Sequence, residues 1–331
     1  MSTPETLELD ARQARPSTCA QVVGLGAALP PESVANETIA ARTGVDGTWI
    51  ERRTGIRSRR HAASDMTLVD LAAGSGRAAL IDAGLDGAEL DLVLLATVSQ
   101  ETPMPNLAPQ VATAVGAVNA GAFDIGAACG GFLMGLATAA GFIESSRARH
   151  VLVVGAETLS RQTDPDDRRT AALFGDGAGA VVVSVAGCGG VAEIELGSDG
   201  TLSELIVTDG ETGFIRMDGH ETFIHAVSVM ESATRSICAR SGLDLATDID
   251  LFVFHQANAR ITRSLAARLA VPEERVVDCI AELGNTSAAS LPLALDYARA
   301  DGRLVPGSRV LLCAVGSGFI WGAALLEWGR R

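Results

Sequence analysis

Short, continuous apolar runs recur along this chain, separated by longer stretches with apolar residues three and four apart. The runs are Gln21–Leu25, Leu92–Thr97, His150–Val154, Gly179–Val185, Leu251–Phe254, Arg309–Ala314 and Gly322–Glu327. Runs of this kind predict strands buried on both faces. The helical pattern falls between them, over Thr67–Ala83, Cys129–Ser145, Ala226–Ser241 and Ala259–Ala270. Alternation of the two predicts an α/β fold whose sheets are covered by helices. The pattern also repeats. Asp91-Leu-Val-Leu-Leu is echoed by Asp250-Leu-Phe-Val-Phe, and His150-Val-Leu-Val-Val by Arg309-Val-Leu-Leu-Cys, at the same offset along the chain. Gly179-Ala-Val-Val-Val is echoed by Gly322-Ala-Ala-Leu-Leu at a slightly shorter one. Three echoes in order predict two similar halves, 19–186 and 187–331, divided near Gly187–Gly190 and preceded by a loose polar extension over 1–18. No Pro/Ser-rich or charged linker lies between them, so the halves should pack as one body.

Composition narrows the chemistry. Hydrophobic residues make up 47% of the chain but aromatics only 4%, so the core is built of Ala, Val, Leu and Ile. All 26 basic residues are arginine, which excludes a lysine Schiff base and a P-loop lysine. A net charge of −14 argues against affinity for nucleic acid or an anionic membrane. Cys19, Cys129, Cys188, Cys238, Cys279 and Cys313 are scattered, with neither a CxxC nor a metal-ligand spacing. Reduced thiols, a cytoplasmic setting and no metal site are therefore expected. The segment between Asp124 and Glu144 carries no charge, but its Gly and Ala content predicts a buried helix rather than a membrane span. The polar residues 1–18 contain no apolar core of a signal peptide.

Three residues stand out chemically. Cys129 lies in Asp124-Ile-Gly-Ala-Ala-Cys-Gly-Gly-Phe132, where a strand gives way to a helix. A thiol at a helix N-terminus is expected to have a lowered pKa and thiolate character. His255 follows the apolar run Leu251–Phe254, at the strand end where α/β folds present reactive groups. Asn285 sits in Leu283-Gly-Asn-Thr-Ser-Ala-Ala-Ser290. Each also reads as structural: a small buried thiol, a satisfied histidine, a turn amide. Together they form a coherent set, a nucleophile that can carry an acyl group and two neutral donors that can stabilise an enolate oxygen.

The segments Trp49–Ile56, Asp124–Phe132, Phe174–Ala180, His255–Ile261, Gly284–Ser290 and Gly316–Ala323 resemble those of β-ketoacyl-acyl-carrier-protein synthase III, in that family's order, from about Gln21 to the C-terminus. The resemblance implies a thiolase fold, a five-layer α-β-α-β-α sandwich of two similar halves, and generally a homodimer. It implies that Cys129 takes an acyl group from acyl-CoA. His255 and Asn285 then bind the carbonyl of a malonyl thioester, carried on an acyl carrier protein or on CoA, whose decarboxylation yields a β-ketoacyl product without a cofactor. By the same resemblance the Cys129 and Ser317 N–H groups form an oxyanion hole. Trp49, Arg53, Arg168, Gly219 and Asn258 contact CoA, and Met104 and Val315 bear on the acyl pocket, with Met104 reaching across the dimer. Arg260, Arg263 and Arg268, on the helix after His255, resemble a carrier-protein dock. Relatives that pass the acyl group to an alcohol, an amine or a second acyl chain leave a second reading open. Four departures from the family pattern bear on substrate choice: a short Ser198–Met217 segment, Ser317 where Gly is common, Val315 where an aromatic is common, and Met104-Pro105.

Overall fold

A computed structural model describes residues 19–186 and 190–329. The extension over 1–18, Cys188 and the start of the seam between the halves lie outside the described residues. Two sheets form the frame. In the first the strand order is Cys19–Ala28, Gly177–Ala186, His150–Glu157, Leu92–Ala96, Gly121–Ile125. In the second it is Gly190–Ser198, Ile320–Glu327, Arg309–Gly316, Leu251–Phe254. The strands that echo one another in sequence occupy matching places. Leu92–Ala96 pairs in parallel with His150–Glu157, which pairs antiparallel with Gly177–Ala186. Leu251–Phe254 pairs in parallel with Arg309–Gly316, which pairs antiparallel with Ile320–Glu327. Where the first sheet has its edge strand Gly121–Ile125, the second has a single parallel bridge, Phe252 to Val276.

Burial on both faces explains the unbroken apolar runs. Every residue of Leu92–Ala96 and of Leu251–Phe254 is buried. Helices Leu68–Ala83 and Ala108–Ala114 cover the outer face of the first sheet. Helices Gly219–Ser241 and Ala259–Leu269 cover the outer face of the second, and Gly131–Glu144 and Ser290–Ala300 lie between the sheets. The uncharged segment is thus a central helix, with Phe132, Leu133, Leu136 and Ile143 fully covered. No helix among the described residues is long and apolar enough to cross a membrane.

The helix expected from Ala226 begins seven residues earlier, at Gly219, because Asp218 caps it by accepting from the His220 and Glu221 amides. Two strands of the main sheets escaped the apolar pattern, Gly121–Ile125 and Gly190–Ser198, because each exposes part of its length. The strand starting at His150 runs on to Glu157, past the apolar run, and all of its last seven residues are buried.

Gly155, in that strand, receives the turn Ser287–Ala289. A Cβ on Gly155 would stand 2.2 Å from the Ala288 carbonyl oxygen. Backbone cannot yield as a side chain can. Gly155→Ala should therefore lower stability by about 3 kcal/mol, read as a lower urea midpoint at unchanged m-value.

Candidate active site

Cys129, His255 and Asn285 line one cavity of about 800 Å³. Cys129 arrives there from the edge strand Gly121–Ile125. Asp124 in that strand accepts from the Leu107 and Ala108 amides at 3.0 and 2.7 Å, fixing the strand to its neighbouring helix. Ala128 then takes φ 45°, a left-handed conformation uncommon for a residue with a side chain, and Cys129 falls in a 3₁₀ turn, Ala128–Gly130, ahead of helix Gly131–Glu144. The thiol does not show the lowered pKa expected of a helix N-terminus. Burial pushes it up to about 12, a hydrogen bond with Ser287 opposes the rise, and the charge of Glu157 adds to it. The resting group is a thiol.

His255 leaves the end of Leu251–Phe254 and is buried. The Gln256 amide donates to Ser290 Oγ at 2.7 Å, and that hydroxyl lies 3.0 Å from His255 Nδ1. With its oxygen already accepting, the Ser290 hydroxyl hydrogen is free to donate to Nδ1, which leaves the ring proton on Nε2. Burial lowers the His255 pKa to about 4, so the ring is neutral at physiological pH. Asn285 is held by its backbone: its N–H donates to the Leu173 carbonyl and its carbonyl accepts from Gly175. Its side-chain Oδ1 accepts from the Ser287 amide at 2.9 Å, which identifies the oxygen and leaves the NH₂ group for the cavity.

Two residues of the site were missed in the sequence. Ser287, at φ 48°, touches Cys129 and donates from its hydroxyl to Glu157 Oε1 at 3.0 Å. Glu157 has no exposed surface. An acid closing an apolar run was the available signal for Glu157; Ser287 read only as a turn residue.

Opposite Cys129, Gly316 packs its backbone against the nucleophile's amide. A Cβ there would stand 2.7 Å from the Cys129 nitrogen. Ser317 and Val315 also line the cavity, and the Ser317 hydroxyl donates to the Ile206 carbonyl at 2.6 Å. That bond ties down the ribbon formed by Ile206–Thr208 and Ile215–Met217.

Residues 123–200 match the family 3-Oxoacyl-[acyl-carrier-protein (ACP)] synthase III, and residues 238–328 match its C-terminal family. The chain is 46% identical to a β-ketoacyl-[acyl-carrier-protein] synthase III of Streptomyces coelicolor, covering 93% of this chain and 94% of that one. The chain belongs to the β-ketoacyl-acyl-carrier-protein synthase III family. The crystal structure of the synthase III of Aquifex aeolicus superimposes with a TM-score of 0.91 at 40% identity, over 93% of this chain and all of that one. The priming β-ketosynthase of the R1128 polyketide pathway gives 0.91 at 36% identity, over 97% and 99%. The fold is accordingly the thiolase fold.

The other positions suggested by the synthase III resemblance fall as follows. Trp49, Arg53, Arg168, Gly219 and Asn258 all line the cavity. The Arg53 and Arg168 guanidinium carbons sit 5.6 and 5.9 Å from the Trp49 ring centre, within cation–π range. Gly219 is the first residue of helix Gly219–Ser241. Asn258 spends its amide on the protein, donating to the Arg53 carbonyl and capping helix Ala259–Leu269 through the Arg260 amide. His220 lines the same cavity. Met104 is 83% exposed and lies outside the cavity of its own chain. Ile261, Leu265 and Leu269 are buried as their spacing indicates, with Arg260, Arg263 and Arg268 exposed. Arg260 lies over the Phe223 ring at 5.7 Å, while Arg268 is paired with Glu231.

The His255 value sets a pH dependence. The folded pKa, about 4, lies below the ordinary 6.5, so protons favour the unfolded chain. This contribution to stability is complete above the ordinary value and is lost as pH falls towards the folded one. Glu157 is raised to about 6 and acts in the opposite sense, but equally in wild type and in a His255 variant. Urea titrations should show wild type losing about 2.5 kcal/mol more than His255→Gln between about pH 7 and about pH 4.5.

Proposed function

We propose that this chain, a condensing enzyme of fatty acid or polyketide biosynthesis, takes an acyl group from acyl-CoA onto Cys129 and joins it to a malonyl thioester. Convergence of a half-buried thiol, a neutral imidazole and an uncommitted amide NH₂ on one cavity carries this reading. Cys129 attacks the acyl thioester and CoA leaves as its thiol. The malonyl carbonyl then accepts from His255 Nε2–H and Asn285 NH₂. Loss of CO₂ leaves an enolate whose oxygen those donors stabilise, and its carbon attacks the Cys129 thioester. As the carbon–carbon bond forms, the carbon–sulfur bond to Cys129 breaks, the β-ketoacyl product is released, and the departing thiolate takes a proton from solvent to become a thiol again. Neutral donors suit this step because a charged imidazolium would be costly in so dry a site. Carbonyl oxygen of the bound acyl group faces the Cys129 and Ser317 N–H groups in this reading. No redox cofactor enters the chemistry.

Trp49, Arg53 and Arg168 give the CoA nucleotide a ring and two cations at the mouth, and Gly219 and Asn258 border the pantetheine path. Arg260 and Arg263 offer positive charge to an acidic carrier protein on a chain of net charge −14. Arg268, held by Glu231, adds less. The enzyme acts as a homodimer in which Met104 approaches the partner's acyl pocket. An acidic chain with reduced thiols suits the cytoplasm. Val315 and Ser317, which shape the cavity, tune the choice of primer.

Intact-protein mass after incubation with a panel of acyl-CoAs tests the reading. Wild type should gain one acyl group with its preferred primer and Cys129→Ala none; an undiminished adduct in the variant would overturn the assignment. Gly316→Ala, which places a methyl group against the Cys129 amide, should slow loading about a hundredfold, the usual cost of one oxyanion donor.

A further inference from the structure

The reaction just described gives Glu157 no part, yet its surroundings are elaborate. Oε2 accepts from the Ser99 hydroxyl at 2.6 Å, the Thr97 hydroxyl at 3.1 Å and the Val98 amide at 3.2 Å. Oε1 accepts from the Ser287 hydroxyl at 3.0 Å. The Ser99 oxygen is itself satisfied by the Thr158 amide, which commits its hydrogen to Glu157. Four donors suit a carboxylate. Its burial works the other way and raises the pKa to about 6, so both protonation states are within reach near neutrality. A fixed negative charge here would only hinder a nearby thiol from ionising, and a glutamine would brace the turn without that penalty.

Ser287 resolves the conflict because its single hydroxyl touches both groups. It can accept from the Cys129 S–H while donating to Glu157, or donate to a Cys129 thiolate while accepting from a protonated Glu157. We propose that Glu157, acting through Ser287, is the positioning residue that takes up the proton Cys129 loses when it is acylated. The Cys129 proton passes to Ser287 Oγ as the Ser287 proton passes to Glu157 Oε1. The thiolate forms its bond to the acyl carbon, the bond from that carbon to the CoA sulfur breaks, and the sulfur leaves with the electron pair. The proton returns from Glu157 through Ser287 to that sulfur, giving the CoA thiol. One negative charge resides in the unit throughout, so no second charge is ever buried. The side chains around Glu157 are Cys129, the titratable one, and the uncharged Thr97, Ser99, Thr158 and Ser287; His255, neutral, lines the same cavity.

The inference rests on Cys129 being the nucleophile. Its test is single-turnover acyl loading by quenched intact mass, beside the malonyl decarboxylation rate of enzyme already acylated, for wild type, Glu157→Gln and Ser287→Ala. Wild-type loading should climb with pH through the Glu157 pKa, about 6, and then level, because the carboxylate must be ionised to accept a proton. Glu157→Gln should lack that climb, and the ratio of loading to decarboxylation should fall at least about tenfold in both variants. Loading by Glu157→Gln as fast as wild type, or faster, overturns the relay while leaving Cys129 as nucleophile. Equal losses in both half-reactions overturn it in favour of a bracing role. If Glu157→Gln fails to fold, the same ratio in Ser287→Ala decides. Wild type without an adduct on Cys129 overturns the nucleophile reading and the relay with it.

Discussion

A backbone carbonyl, that of Ala288, lies where any side chain on Gly155 would have to be. Through this contact a turn contributed by one half of the chain presses into a strand of the other. Much of the site follows from it. Asn285 precedes the turn and orients its amide on the Ser287 amide. Ser290 follows it and braces both His255 and the Gln256 amide. Ser287, within it, spans the gap to Glu157. Three side chains at the cavity take their orientation from a few residues lodged against a glycine.

The electrostatics of the cavity follow from its dryness. Burial neutralises the thiol and the imidazole, raising one pKa and lowering the other, so that the groups meeting a substrate are uncharged. The negative charge of Glu157 is set back behind hydroxyls. The cations stand at the mouth, where Arg53 and Arg168 flank Trp49. Charge is thereby concentrated at the exposed end of the cavity, and neutral hydrogen-bonding groups at the covered end.

The frame was readable in the sequence because strands covered on both faces must be apolar without interruption. Leu92–Ala96 and Leu251–Phe254 declared themselves so, and the echo between them foretold matching positions in two sheets. Gly121–Ile125 and Gly190–Ser198 did not, since partial exposure dilutes the signal. At the site, Cys129, His255 and Asn285 were singled out by motif, and His255 also by its place after an apolar run, and the structure brings all three to one cavity. The ionisation of Cys129 was misread, because a helix N-terminus is visible in sequence whereas desolvation is a property of everything packed around it. Glu157, an acid after an apolar run, carried only a faint signal and Ser287 none, because what joins them is a contact between positions far apart in the chain.

The Ser317 hydroxyl, bonded to the Ile206 carbonyl, couples one part of the cavity wall to the ribbon that forms another. A position that borders Cys129 therefore also governs how firmly that part of the wall is held. An exchange at Ser317 that removes the hydroxyl would untie this ribbon, leaving thiol, imidazole and amide as they stand.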